Sequence, residues 1–473
     1  MIIGRRKETE LLKNALNDSY SHFVAVYGRR RIGKTFLVRE AFDYRFTFQH
    51  SGLAKGGLKE QLFAFTSSLT DSGFKSKALP KNWLEAFENL KEYLRCSTEK
   101  RKIIFIDELS WMDTKNSDLI TALESFWNGW ASARKDIVLI VCTSATSWML
   151  SKVIHNKGGL YNRLTEKIHL REFTLAECED YVISKKLSLN REQILQYYMV
   201  FGGVPYYWGF LQKGLSVPQN IDYILFAEDA PLKDEFEYLY ASIFRNPEGY
   251  LKIIQALAAK KFGLTRTEIT VSTGIGNTGN LTKKLEELES CGFIRKYNSF
   301  GKKSRDSIFQ LSDFFTLFYF SFLDKNPSDE HFWSNQVNTP KVNTWLGLSY
   351  ERVCMKHISQ IKKALGISGV YTETSSWQCS PDDEKGLHGS QIDLLISRRD
   401  GIINLCEIKY SGSDCVVTQK NEAEIRNKQS DFFIATGTKS AIFRTLITTY
   451  GVKENSHSGI FETVITTDDL FLR

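Results

Sequence analysis

The spacing of apolar and polar positions divides the chain into stretches with different periods. In the first, uninterrupted apolar runs stand between helical patterns. Residues 22–27, 103–106 and 137–142 read as strands covered on both faces, because a parallel sheet flanked by helices leaves no polar face to alternate with. Phe36, Leu37, Val38 and Phe42 follow the first run at helical spacing. Further on, Leu251, Ile254, Leu257 and Ala258 predict a helix over 249–261. A second helix begins near Arg266 with Thr265 as its cap, and Leu281, Leu285 and Leu288 mark a third. Residues 292–297 and 307–311, joined by a Gly/Lys-rich turn, read as a hairpin. Three helices followed by a two-stranded wing are the pattern of a winged helix-turn-helix. An aromatic stretch, 313–340, reads as a packing helix plus linker that docks this unit on the C-terminal segment. From about residue 345 the pattern changes again. A helix over 345–365 carries an apolar stripe at Leu348, Met355, Ile358 and Leu365. Beyond it lie strands at 390–396 and 402–409, a helix from about 418 and a strand at 441–448.

Composition sets limits on this picture. The 473 residues suggest about three domains of ~150 residues each, and 42% hydrophobic with 25% charged residues is ordinary for a globular chain. The longest apolar run, 314–323, is shorter than the roughly 20 residues a bilayer span needs, and the N-terminus lacks the apolar segment of a secretion signal. The expectation is a cytoplasmic protein with no membrane partner. Eight scattered cysteines form no Cys-x-x-Cys pair and no zinc spacing, and read as core residues. The formal charge is +7, and residues 245–310 hold twelve basic against six acidic residues. A local excess of that kind attracts polyanions, although a solvated face produces it equally well.

The chemistry begins where the first strand ends. Gly28-Arg29-Arg30-Arg31-Ile32-Gly33-Lys34-Thr35 has the phosphate-loop spacing, with a strand before it and a helix after it. The glycines let backbone amides face phosphates, Lys34 reaches the β- and γ-phosphates, Thr35 ligates magnesium, and the helix N-terminus adds its dipole. The second apolar run ends in Asp107-Glu108, at the strand edge where ligands sit in open α/β sheets. Asp107 would hold magnesium through water and Glu108 would polarise the attacking water. The third run ends in Thr143-Ser144, either of which is placed to sense the γ-phosphate or to cap a helix. Arg163, in Leu160-Tyr161-Asn162-Arg163, is a candidate for neutralising transition-state charge.

These motifs, together with Ile2-Ile3-Gly4-Arg5-Arg6-Lys7-Glu8 and Phe201-Gly202-Gly203-Val204-Pro205-Tyr206, stand in the order seen in the archaeal-type ATPase family, a relative of the AAA+ and STAND ATPases. The resemblance covers about residues 1–235. It implies ATP and Mg2+ as ligands, and a Pro205 that helps enclose adenine. Asn162 departs from it, because such proteins often carry Gly before the Arg.

In the last stretch, Glu351 falls on the apolar stripe of its helix, a costly place for an unpartnered carboxylate. Glu407 and Lys409 are two apart on one strand and share a face. Glu351, Asp393 and Glu407-Ile408-Lys409 resemble the PD-(D/E)xK nuclease superfamily, and the segment 340–473 resembles the C-terminal domain of unknown function often joined to archaeal-type ATPases. The resemblance implies magnesium held by Asp393, Glu407 and Glu351, with Lys409 orienting a water. Gln391 stands where that superfamily often has Pro. A three-residue loop, Arg399-Asp400-Gly401, is expected to set Asp393 opposite Glu407 and to bring Glu351, Asp393, Glu407 and Lys409 within reach of one cation.

The expected fold class is therefore α/β: a P-loop NTPase parallel sheet with a helical lid (1–235), a winged helix-turn-helix (245–312), a helical linker (313–344) and a restriction-endonuclease-like α/β domain (345–473). Two functional readings are consistent with it. One is an ATP-hydrolysing protein coupled to processing of nucleic acid, double-stranded DNA first. The other is a nucleotide-switch scaffold in signalling or defence, with an inactive nuclease-like domain. A homo-oligomer is open under both.

Overall fold

The computed structural model describes residues 2–75, 78–156, 158–244, 246–302, 306–325 and 327–473. The chain divides into two compact units, one of Met1–Glu172 with Ala241–Arg245 and one of Phe173–Tyr240 with Asn246–Arg473.

The first unit is built on five strands: β1 (His22–Tyr27), β2 (Phe48–Ser51), β3 (Lys102–Asp107), β4 (Ile137–Thr143) and β5 (Glu166–His169). Their order is β2-β3-β4-β1-β5 and every pairing is parallel. Every residue of β1, β3 and β4 is buried. Successive residues enter two different cores, which is why these segments read as unbroken apolar runs. Phe23, Ala25, Ile104, Ile106, Leu139 and Val141 face one cluster, while Val24, Val26, Phe105, Val138 and Ile140 face the other. The register from Val24↔Ile140 and Ile103↔Val138 sets the C-terminal ends of β1, β3 and β4 along one edge.

The second unit contains the helices Glu248–Ala258, Arg266–Thr273 and Gly279–Ser290. Thr265 caps the second of these through a reciprocal pair with Glu268. A small antiparallel sheet joins β6 (Leu264–Thr265), β7 (Ile294–Tyr297) and β8 (Ile308–Leu311) in the order β6-β8-β7. The aromatic stretch packs through its rings. Phe314 meets Tyr198, Phe315 meets Tyr207, and Phe318 stands 5.0 Å from Trp333 and 5.4 Å from Trp345 between ring centroids.

A mixed five-stranded sheet completes this unit: β9 (Thr372–Gln378), β10 (Gln391–Arg398), β11 (Ile402–Lys409), β12 (Ala441–Thr448) and β13 (Thr463–Ile465), ordered β13-β12-β11-β10-β9. β9, β10 and β11 are antiparallel; β12 and β13 join in parallel. The β10–β11 register, Leu394↔Cys406 to Ser397↔Ile403, leaves Arg399-Asp400-Gly401 as the loop, with Gly401 left-handed at φ 84°.

The single helix expected over 345–365 is two: Pro340–Lys356 and Ile358–Ala364. They meet at His357, with φ −110° and ψ 29°. His357 is buried, its Nδ1 lies 2.8 Å from the Val353 carbonyl, and its Nε2 accepts the Leu175 N–H at 3.1 Å. A carbonyl only accepts, so Nδ1 carries the hydrogen, and burial lowers the pKa to about 4. The neutral ring satisfies an amide at the start of the Leu175–Ser184 helix, and that long-range bond accompanies the break.

Candidate functional site

In the first unit, the loop between β1 and the Lys34–Ala41 helix depends on conformations that side chains resist. Gly28 has φ 146°, and a Cβ there would lie 2.2 Å from the Leu170 carbonyl oxygen; Arg31 and Gly33 also have positive φ, 72° and 86°. Arg29 is buried and paired with Glu172. Arg30 and Ile32 complete the loop, with Ile32 in the core. Lys34 is buried and donates from Nζ to the Arg29 carbonyl at 2.7 Å, so its ammonium lies along the loop. The Thr35 hydroxyl donates to Asp107 Oδ2 at 2.7 Å, and Asp107 Oδ1 accepts the Glu108 N–H at 3.0 Å.

Glu108 leaves β3 in a left-handed conformation, φ 46°. Its carboxylate accepts the Ser144 hydroxyl at 2.6 Å and the Ser144 N–H at 3.1 Å. That separates the two sensor candidates. Ser144 contacts Glu108, whereas the fully buried Thr143 hydroxyl is engaged by Ser110 at 2.7 Å and the Ala145 N–H at 3.1 Å. Thr35, Asp107, Glu108 and Ser144 thus form one chain of contacts at the sheet edge. Arg163 is exposed beyond a turn in which Asn162 is left-handed, φ 53°. Asn is the residue that best replaces Gly in that conformation, which accounts for Asn162 standing where the family often has Gly.

Pro205 lies in the second unit, at the first turn of the Pro205–Trp208 helix. Gly203 precedes it where a Cβ would meet the Phe173 carbonyl at 1.9 Å, so this Gly-Gly-Val-Pro-Tyr segment requires its second glycine for backbone packing.

The second unit holds a separate polar centre. Glu351 and Asp393 face one cavity of about 280 Å³, together with Arg295, Arg352, Tyr297 and Gln391. Gln391 Nε2 donates to Asp393 Oδ1 at 2.7 Å. Burial, and then the nearby Asp393 charge, raise the Glu351 pKa to about 7, while Lys261 Nζ stands 3.3 Å from its carboxylate. Burial lowers the Arg295 pKa to about 10. Glu407 pairs with Lys428 of the Gln419–Thr436 helix at 2.7 Å. Lys261, Lys428, Gln391 and Asp393 line a neighbouring opening of about 440 Å³.

The expectation that Glu351, Asp393 and Glu407 gather around one cation needs correction. Among the described residues, no three His, Cys, Asp or Glu side chains are grouped closely enough to hold a metal. Continuing the β10–β11 register by one step does oppose Asp393 to Glu407. However, the β9–β10 register shifts between Ile392 and Leu395, a bulge at the Asp393 step, and both of those apolar residues enter one core cluster. The bulge re-aims Asp393, a change strict alternation does not anticipate. Lys409 ends β11 opposite Thr448. Lys261 and Lys428 carry no sequence signal, since their pairing with the carboxylates is tertiary and no local spacing announces it. Between β7 and β8, Lys302 is exposed, and Lys303 and Arg305 lie outside the described residues, as does Arg245. Lys283 is exposed, but Lys284 Nζ folds over the Tyr250 ring at 3.9 Å. No helix among the described residues is long and apolar enough to cross a membrane.

Residues 3–209 match a family described as an ATPase domain predominantly from Archaea. An uncharacterized protein of Methanocaldococcus jannaschii is 24% identical over 408 residues, 84% of each chain. An uncharacterized ATP-binding protein of the same organism is 38% identical over 43 residues, 9% of this chain and 73% of that one. Among solved structures, a Walker-type ATPase of Pyrococcus abyssi is similar with a TM-score of 0.46 and 16% identity, covering 67% of this chain and 95% of that one. The chain carries an archaeal-type ATPase domain with a parallel α/β sheet.

Proposed function

We propose that this is an ATP-hydrolysing protein coupled to the binding and processing of nucleic acid, with duplex DNA as its first substrate class. The observation that carries the ATP half is the chain of contacts from Thr35 through Asp107 and Glu108 to Ser144, which puts a hydroxyl, two carboxylates and a reporting hydroxyl at the end of a phosphate loop. Lys34 leaves the Arg29 carbonyl for the β- and γ-phosphates, and the amides of Gly28 to Gly33 face their oxygens. Glu108 orients the attacking water, and Ser144 ties its position to the γ-phosphate. Arg163, exposed, neutralises charge at a neighbouring copy in a homo-oligomer.

The nucleic-acid half rests on the second unit. The helices at 248–290 and the hairpin form a winged helix whose exposed Lys283 and Lys302 meet phosphates, and the mixed sheet with its flanking helices forms a nuclease-like domain. The donor sets suit magnesium, which is commonly bound through one or two carboxylates with water: Thr35 and Asp107 in one unit, Asp393 and Glu351 in the other. Bound there, magnesium supplies charge neutralisation at phosphate oxygens. Lys409 orients a water beside Glu407. The domain scheme of 1–235, 245–312, 313–344 and 345–473, and a cytoplasmic location, belong to the same proposal.

A second reading has its own support. The pairs Lys261–Glu351 and Lys428–Glu407 suit a nucleotide-switch scaffold whose nuclease-like domain no longer cleaves. A magnesium-dependent cleavage assay on duplex DNA, single-stranded DNA and RNA, with and without ATP, decides between them. Cleavage that disappears in Asp393→Ala is expected; intact substrates throughout would favour the scaffold.

A further inference from the structure

Beside the second polar centre, one buried acid has no role in the reaction just proposed. Asp431, on the Gln419–Thr436 helix, is fully buried. Its carboxylate accepts the Ser390 hydroxyl at 2.5 Å, the His388 backbone N–H at 3.1 Å and His388 Nδ1 at 2.9 Å, with Cys379 Sγ at 4.0 Å. Burial pushes the Asp431 carboxyl up, but the bonds from Ser390 and His388 outweigh it and hold it below its ordinary range. An ionised carboxylate only accepts, so Nδ1 carries a hydrogen, and in the neutral form of the ring the lone pair is on Nε2. The His388 side chain is 56% exposed and lines the opening of about 440 Å³ with Asp393, Lys261, Lys428, Asn427 and Glu424.

A purely structural role for Asp431 would be to staple the segment before β10. The Ser390 hydroxyl and the His388 amide already do that, helped by the Cys379 N–H to Ser390 carbonyl bond at 2.9 Å. The contact to the imidazole adds nothing to the staple, but it fixes the tautomer and angle of a ring at the mouth of the opening. A base held by an acid is the arrangement that general-base catalysis uses.

We propose that His388 is a further catalytic residue of the phosphodiester-cleaving centre, acting as general base, with Asp431 as its positioning residue. The inference rests on the nuclease reading above. As the water oxygen forms its bond to phosphorus, one water proton passes to His388 Nε2. The bond from phosphorus to the leaving sugar oxygen breaks, and that oxygen takes a proton from solvent. The imidazolium then returns its proton to bulk water, so no oxidant or further reactant is needed.

The test is steady-state cleavage of duplex DNA in magnesium by the full-length chain and its His388→Ala, His388→Gln, Asp431→Asn and Asp393→Ala variants, with thermal melting to check folding. His388→Ala is expected to lose on the order of 10²-fold in kcat with KM little changed. Added imidazole should restore part of that loss in His388→Ala but none in Asp393→Ala or Asp431→Asn. Wild-type kcat in both folded His388 variants, with cleavage abolished in Asp393→Ala, would overturn the inference and leave the nuclease reading standing. Absence of cleavage by the unaltered chain would overturn both.

Discussion

Thr35 and Asp107 are 72 residues apart, yet the hydroxyl of one donates to the carboxylate of the other at 2.7 Å. The strands that deliver them, β1 and β3, are not neighbours; β4 lies between them. The bond therefore depends on parallel register across three strands rather than on one hairpin, and it places the end of the phosphate loop against the acidic end of β3. Lys34→Ala is expected to lose nucleotide binding. Glu108→Gln should retain binding while turnover falls by at least about 10²-fold, since a water-orienting group is removed without disturbing the phosphate cradle. Equilibrium nucleotide binding and phosphate release, measured on both proteins, check this.

Ser144 and Thr143 should separate in the same assays. Ser144→Ala removes the hydroxyl held by Glu108 and is expected to slow turnover with ATP affinity nearly unchanged. Thr143→Val leaves the Ser110 hydroxyl and Ala145 amide without their partner. Its main effect should be a stability loss of about 1–3 kcal/mol, read by denaturant unfolding.

Asp393→Ala should abolish metal-dependent cleavage and leave ATP turnover unchanged, because Asp393 belongs to the second unit and the phosphate loop to the first. Both activities measured on one preparation would show it; loss of ATP turnover in that variant would argue against separate centres.

His357 gives the chain a pH-dependent stability term. Its folded pKa of about 4 lies below the ordinary value of 6.5, so the native state resists a proton that the unfolded chain accepts. The contribution is complete above pH 6.5 and is lost as pH falls toward 4, by about 3 kcal/mol at most. His50, buried in the first unit and likewise lowered to about 4, adds in the same direction. Denaturant unfolding between pH 7.5 and 4.5 should show a smaller decline in His357→Gln than in the unaltered chain. Equal declines would remove His357 from the account.

Legibility in the sequence tracks contiguity. The phosphate loop and Asp107-Glu108 each fit within a few residues, and their strands announce themselves because both faces are buried. β2, Phe-Gln-His-Ser, and β5, Glu-Lys-Ile-His, give no such run; they are edge strands of the first sheet with polar positions left open. β9, mostly Thr, Ser and Glu, is silent for the same reason. The Arg399–Gly401 loop is legible because Gly401 supplies the left-handed residue such a loop needs. The bulge at Asp393 is not, since it is a misfit between β10 and β9, and β9 has no signal. Likewise, the break at His357 answers to Leu175, and Lys261 and Lys428 answer to carboxylates far along the chain. These are relationships of tertiary structure that no spacing rule contains.

The most direct test of the link between ATP and nucleic acid is the rate of phosphate release at saturating ATP, with and without duplex DNA, at low and high salt. A faster rate with DNA is expected, with a stimulation that fades as salt screens the phosphate contacts, and release by Glu108→Gln should be slower by at least about 10²-fold under every condition. Identical rates with and without DNA at low salt would contradict the coupling and leave the scaffold reading in its place.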